Sequence, residues 1–169
     1  MDDQAVVSWQ LRRPARPFTR VALRCPHGFP AVTEQAPFGP DGEPFPTTYY
    51  LTCPWLVAAL ARVEAAGGVE RWSQAAAEDS SLRESLARAD NEQRQLRPEL
   101  GVGIGGTRSR GSLKCLHAHA AFALARPGYE LGDRILAEVE EPWCPDARCE
   151  KAVPRTPSNS PLPDNSGAA

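Results

Sequence analysis

Residues 47–54 read TTYYLTCP, and they are the most informative segment for the fold class. Branched and aromatic side chains in succession favour a strand, because they pack well on a pleated surface. Pro54 suits the first position of a helix, where its missing N–H costs nothing. Leu56 and Leu60 then recur at helical spacing. The stretch therefore predicts a strand that passes directly into a helix.

Outward from this junction, the pattern predicts a small α+β domain. Its short strands lie near the N-terminus and are followed by about five helices, the fourth of them capped by Ser112. The predicted strands are 19–25, 31–34 and 47–52, and the predicted helices are 54–66, 69–77, 80–96, 113–126 and 132–141. We expect a single globular domain over residues 1–151 and a proline-rich disordered tail over residues 152–169.

Length and charge limit the classes of function. The chain has 169 residues, 17 prolines and a formal net charge of -2. No block of cations resembles a nucleic-acid arm or a patch for anionic membranes, so neither partner is expected. The sequence also has no signal-peptide pattern and no run of 18 apolar residues, which predicts a cytoplasmic protein.

The cysteines and histidines are the most unusual feature of the composition. Cys115 and His119 are four residues apart at the start of the fourth predicted helix, so both project from one face. Cys25 and Cys53 each follow a predicted strand. Thiolate and imidazole ligands favour Zn²⁺ over Mg²⁺ or Ca²⁺. We therefore predict a zinc-like site of Cys25, Cys53, Cys115 and His119, with His117 as the alternative fourth ligand.

The same helix start supports a second hypothesis, a thiol-dependent enzyme. Cys115 follows Lys114, and both a nearby cation and the N-terminus of a helix lower the pKa of a thiol. His117, His119 or His27 would act as the base in a Cys/His pair. The candidate catalytic residues are therefore Cys115 and His117.

A glycine-rich loop at residues 101–111 precedes this helix. It lacks the Lys-Ser/Thr pair that a phosphate-binding P-loop requires. Backbone amides with Arg108, Arg110 and Ser112 would still hold an anion, such as the substrate of a thiol enzyme. The alternative is an unliganded hinge.

Cys-Pro dipeptides suggest another cofactor. Cys25, Cys53 and Cys144 each precede proline, a pattern found in haem-thiolate sites. Zinc is preferred, because Pro54 already has an explanation as a helix start. Cys144 and Cys149 lie near the tail and are expected to be peripheral. The simplest alternative is that the cysteines are small buried residues.

Several motifs together resemble a known family. They are RCPHGFP at residues 24–30, PFPTTYYLTCP at 44–54, and Gly105-Gly106 followed by KCLH at 114–117. The chain resembles the bacterial family called domain of unknown function 501 from about Val7 to Trp143. The resemblance implies a stand-alone cytoplasmic bacterial protein whose activity is unassigned.

The resemblance also bears on the site and on partners. The patterns Arg-Cys, Thr-Cys-Pro and Lys-Cys-Leu-His fall on Cys25, Cys53, Cys115 and His117. Similar proteins are often encoded near a septum-formation initiator and an exopolyphosphatase-like protein. This implies a third hypothesis, a non-catalytic partner-binding protein linked to cell division, and it leaves the oligomeric state open.

Overall fold

A computed structural model describes residues 1–154 of the chain. Most of the predicted disordered tail, from residue 155 onward, lies outside the described residues. Within the described residues, three strands form an antiparallel sheet in the order β1-β2-β3, accompanied by six α-helices and two short 3₁₀ helices. The strands are β1 (Phe18–Arg24), β2 (Pro30–Gln35) and β3 (Tyr49–Leu51). This confirms the predicted α+β class.

The helices follow the strands, except for one that precedes them. They are α1 (Asp3–Leu11), α2 (Pro54–Ala65), α3 (Gly68–Glu78), α4 (Ser80–Leu96), α5 (Leu116–Ala125) and α6 (Glu130–Ala137). The 3₁₀ helices are Ile104–Gly106 and Arg148–Ala152. The sequence analysis missed α1, in which only Val6, Val7 and Gln10 are buried, so the apolar repeat is too short to recognise.

Helix α5 forms the centre of the main core. Leu116 and Phe122 are both buried, and the alanines between them let β3 and α6 approach the helix closely. The prediction that this helix begins after Ser112 is wrong. Cys115 has extended backbone angles and occupies the N-cap position, and the helix starts at Leu116. Among the described helices, none combines the length and apolar character needed to cross a bilayer.

A second, smaller apolar cluster lies apart from the main core. Its buried members are Val6 of α1, Phe29 from the β1–β2 turn and Cys149 from the last 3₁₀ helix. Helix α1 packs against that 3₁₀ helix. The N-terminal and C-terminal ends of the described chain therefore meet over the β1–β2 turn.

Candidate functional site

Four of the five cysteines line one small cavity between the sheet, the start of α2 and the C-terminal segment. They are Cys25, Cys53, Cys144 and Cys149, and the cavity that they line has a volume of about 10 Å³. This is room for about one water-sized sphere. We call it the cysteine cavity. Its other lining residues are Gln10, His27, Phe29, Pro30, Pro54, Trp55, Ala147 and Arg148.

Two of these cysteines belong to the body of the fold. Cys25 follows β1 and begins a tight turn, closed by hydrogen bonds from Cys25 N to Phe29 O at 2.9 Å and from Gly28 N to Cys25 O at 2.8 Å. Gly28 has a φ of +84°, a conformation that costs glycine little. Cys53 is the N-cap residue of α2. The junction between β3 and α2 thus also positions one thiol.

The other two cysteines belong to the C-terminal segment. Gln10 Nε2 donates to Cys149 Sγ at 3.4 Å and to Pro30 O at 2.8 Å, which links α1, the sheet and this segment. His27 Nε2 lies 2.7 Å from Cys144 O and therefore donates to it. The expectation that Cys144 and Cys149 are peripheral is wrong, because both are buried in the cysteine cavity.

Burial disfavours the thiolate form of Cys53 and Cys149. It raises the pKa of Cys53 and of Cys149 above the ordinary thiol value, and the neighbouring cysteines act in the same direction. The N–H groups of Leu56 and Trp55 act against burial at Cys53. Within residues 1–154, no three His, Cys, Asp or Glu side chains are arranged as a ready-made metal site.

The predicted zinc ligands are only partly brought together. Cys25 and Cys53 share the cysteine cavity, whereas Cys115 lines a different cavity with His117. His119 is fully buried, and its Nδ1 lies 2.7 Å from the hydroxyl oxygen of Tyr129. Helical spacing placed Cys115 and His119 together, but Cys115 is extended and precedes the helix, so they do not share a helical face.

The second cavity has a volume of about 360 Å³ and an apolar lining from β3, α2 and α5. The residues that line it are Thr47, Tyr49, Tyr50, Leu51, Val57, Cys115, His117 and Ala118. Burial raises the pKa of the Cys115 thiol, and nearby Glu64 adds to this effect. The N–H groups of α5 and the charge of Lys114 oppose the rise but are outweighed. The expected activation of Cys115 is therefore not found.

His117 is also committed to structural contacts. Its Nδ1 lies 3.0 Å from Glu64 Oε1, and its Nε2 lies 3.0 Å from Val57 O. Each ring nitrogen thus lies within hydrogen-bond distance of an oxygen acceptor. Glu64 Oε1 also accepts from Leu116 N at 2.7 Å. Both ring nitrogens of His117 are thus engaged by groups of α2, and Glu64 is a residue that the sequence analysis missed.

The predicted anion residues lie on an exposed loop. Arg108 and Ser112 line an open cleft with Lys114, whereas Arg110 is not among its lining residues. Ser112 does not cap α5, because the helix begins four residues later. The glycine segment that precedes these residues is fixed by a hydrogen bond, in which Ile104 N donates to the buried carboxylate of Asp90 at 3.0 Å. The loop conformation thus has a structural explanation.

Comparison with known proteins gives a family but no activity. Residues 21–102 match the family described as "Protein of unknown function (DUF501)". The match includes Cys25 and Cys53 and ends before Cys115, so it is shorter than the resemblance from Val7 to Trp143. No curated protein and no solved structure matches the chain.

Proposed function

We propose that this protein, whose residues 21–102 form a domain of the DUF501 family, is stabilised by a bound zinc ion. In this proposal Cys25, Cys53, Cys144 and Cys149 bind one Zn²⁺ in the cysteine cavity. The observation that carries it is the convergence of these four thiols, from three distant parts of the chain, on an atom-sized space. Zn²⁺ commonly takes four thiolates in a tetrahedral structural site.

The chemistry of the donor set fits a soft divalent cation. Four sulfur donors suit Zn²⁺, whereas Mg²⁺ and Ca²⁺ prefer oxygen ligands. Binding replaces the thiol protons, and the sulfurs must reorient when the ion binds, because no three of them are arranged as a ready-made site. Formation of the site therefore requires side-chain adjustment around the cavity.

The surroundings also suit four thiolates around a dication, a group with net charge -2. Burial raises the pKa of Cys149, and the positive charge of Arg148 offsets part of that rise. The N-terminal end of α2 directs N–H groups towards Cys53. Gln10 donates to the sulfur of Cys149. Such outer hydrogen bonds orient thiolate ligands and offset their charge.

A structural role is favoured over a catalytic one. Catalytic zinc keeps a position open for water or substrate, whereas four protein thiolates fill the tetrahedron. The cavity of about 10 Å³ leaves no room for a substrate beside the ion. The ion would instead join the β1–β2 turn, the start of α2 and the C-terminal segment.

Cysteine chemistry also supports a reducing compartment such as the cytoplasm. All five cysteines lie within residues 1–154, and each is a free thiol there. Buried free thiols and thiolate metal sites are typical of reducing compartments, where disulfides are rare. A protein exported to an oxidising compartment would contradict this assignment.

Metal analysis of the untagged full-length protein tests the proposal. After reconstitution with Zn²⁺ and removal of excess ion, we expect about one zinc per chain. Co²⁺ substitution should give the absorption of a tetrahedral thiolate complex. Cys25→Ser, Cys53→Ser, Cys144→Ser and Cys149→Ser should each weaken binding, whereas Cys115→Ser is the matched control and should not. A folded wild type that binds no zinc would contradict the proposal, and so would equal weakening by Cys115→Ser.

A further inference from the structure

The C-terminal segment 142–153 is held to the body of the protein by few contacts besides its two cysteines. We call this segment the C-terminal clasp. The guanidinium carbon of Arg148 lies 4.6 Å from the centre of the Trp55 ring, and His27 donates to the carbonyl of Cys144. The Arg148 ion pair with Asp146 lies within the clasp itself. These contacts are at or near the surface, where such interactions are weak.

The clasp also rests mainly on the smaller apolar cluster. Cys149 is one of only three buried members of that cluster, with Val6 and Phe29, while Ala152 and Val153 pack at its edge. The main core centres on α5 and receives only Trp143 from the clasp, as a partly buried neighbour. Regions with few buried apolar contacts open locally without global unfolding.

The cysteine cavity spans the junction between clasp and body. Cys144 and Cys149 belong to the clasp, whereas Cys25 and Cys53 belong to the body. An ion bound by all four would add strong bonds at the point where other contacts are weak. Resting on the proposed zinc site, we infer that metal loading controls whether the C-terminal clasp stays docked, so the clasp responds to the availability of the metal.

The magnitude follows from binding linkage. An ion that binds only the docked state suppresses opening by a factor of about one plus the ratio of free metal to Kd. At free metal about 100 times Kd, opening of the clasp should be about 100-fold rarer than in the metal-free chain. Helix α5 at the centre of the main core should respond much less, because it contributes none of the four ligands.

Hydrogen exchange measured by mass spectrometry on the full-length chain tests this inference. Peptides covering 142–153 should exchange much faster after chelation and recover when Zn²⁺ is restored, while α5 peptides change little. The double variant Cys144→Ser/Cys149→Ser should exchange like the chelated wild type with or without Zn²⁺. Cys115→Ser should behave like the wild type.

The outcomes separate this inference from the zinc proposal. If zinc binds and exchange of 142–153 is unchanged, metal does not control docking of the clasp, while the zinc site stands. If chelation speeds exchange of α5 as much as that of 142–153, the metal stabilises the whole fold, and the inference that it acts on the clasp is again contradicted. If no zinc binds, both ideas are overturned.

Discussion

The Nδ1 atom of His119 lies 2.7 Å from the hydroxyl oxygen of Tyr129 inside the main core. His119 is fully buried, and its Nε2 has no hydrogen-bond partner among residues 1–154. Burial lowers the pKa of His119 to about 4. A neutral imidazole in this position is a structural residue of the core, which explains why His119 does not belong with the cysteines.

The stability of the protein should fall in mild acid because of His119. The unfolded chain takes up the proton near pH 6.5 and the folded chain only near pH 4, so protonation favours unfolding between them. From pH 7.5 to 5 this residue should remove about 2 kcal/mol from the free energy of unfolding. Urea denaturation at both pH values measures it. His119→Asn should lack this part of the pH dependence, and an unchanged dependence would refute the assignment.

Local sequence signals predicted the strands and the start of α2. The main error, the predicted start of α5 after Ser112, is explained by a tertiary contact. Pro54 marks the beginning of α2, as the pattern at residues 47–54 indicated. At α5, Ser112 satisfied the local rule for a cap, but Leu116 N donates instead to Glu64 of α2. A cap supplied by another helix leaves no signal near Ser112, so sequence spacing alone could not find it.

Glu64 should stabilise the start of α5 through two bonds made by one oxygen. Glu64→Ala leaves Leu116 N and His117 Nδ1 without their acceptor and should cost about 1–3 kcal/mol of stability. Glu64→Gln retains an oxygen acceptor without the charge and should cost less. Urea denaturation at pH 7 compares the two variants with the wild type. A Glu64→Ala protein as stable as the wild type would show that this cap contributes nothing.

The sequence predicted two of the four cysteines that line the cavity. It missed the other two because their positions depend on tertiary contacts. Cys25 and Cys53 stood at turns after strands, and both reached the cysteine cavity. Cys144 shares the Cys-Pro pattern with them, and this was the signal for the third thiol. The position of Cys144 depends on how the C-terminal segment packs against α1. That packing joins residues more than 100 positions apart in sequence, such as Gln10 and Cys149. Spacing along the chain carries no information on such a return.

Cys115 should behave as an unreactive thiol. Burial raises its pKa, with Glu64 adding to the effect, so the thiolate fraction at pH 7 should be lower than in a free cysteine. The pH dependence of iodoacetamide alkylation on zinc-loaded protein, read by mass spectrometry of the peptide containing Cys115, measures this. The midpoint should lie above the ordinary pKa of a free cysteine thiol, about 8.5. A midpoint near neutrality would restore the thiol-enzyme hypothesis.

The glycine loop should tolerate a methyl group at Gly101 better than at Gly103. At Gly103 an added Cβ would lie 2.6 Å from Asp90 Oδ1 and 2.7 Å from Thr107 Oγ1, so Gly103→Ala should cost about 1–3 kcal/mol through overpacking. Gly101 has a φ of +61° and open space, so Gly101→Ala should cost about 1 kcal/mol through backbone strain alone. Thermal unfolding of both variants measures the difference. In an Asp90→Ala background the cost of Gly103→Ala should shrink, because one clash is removed, and an undiminished cost would place its origin elsewhere.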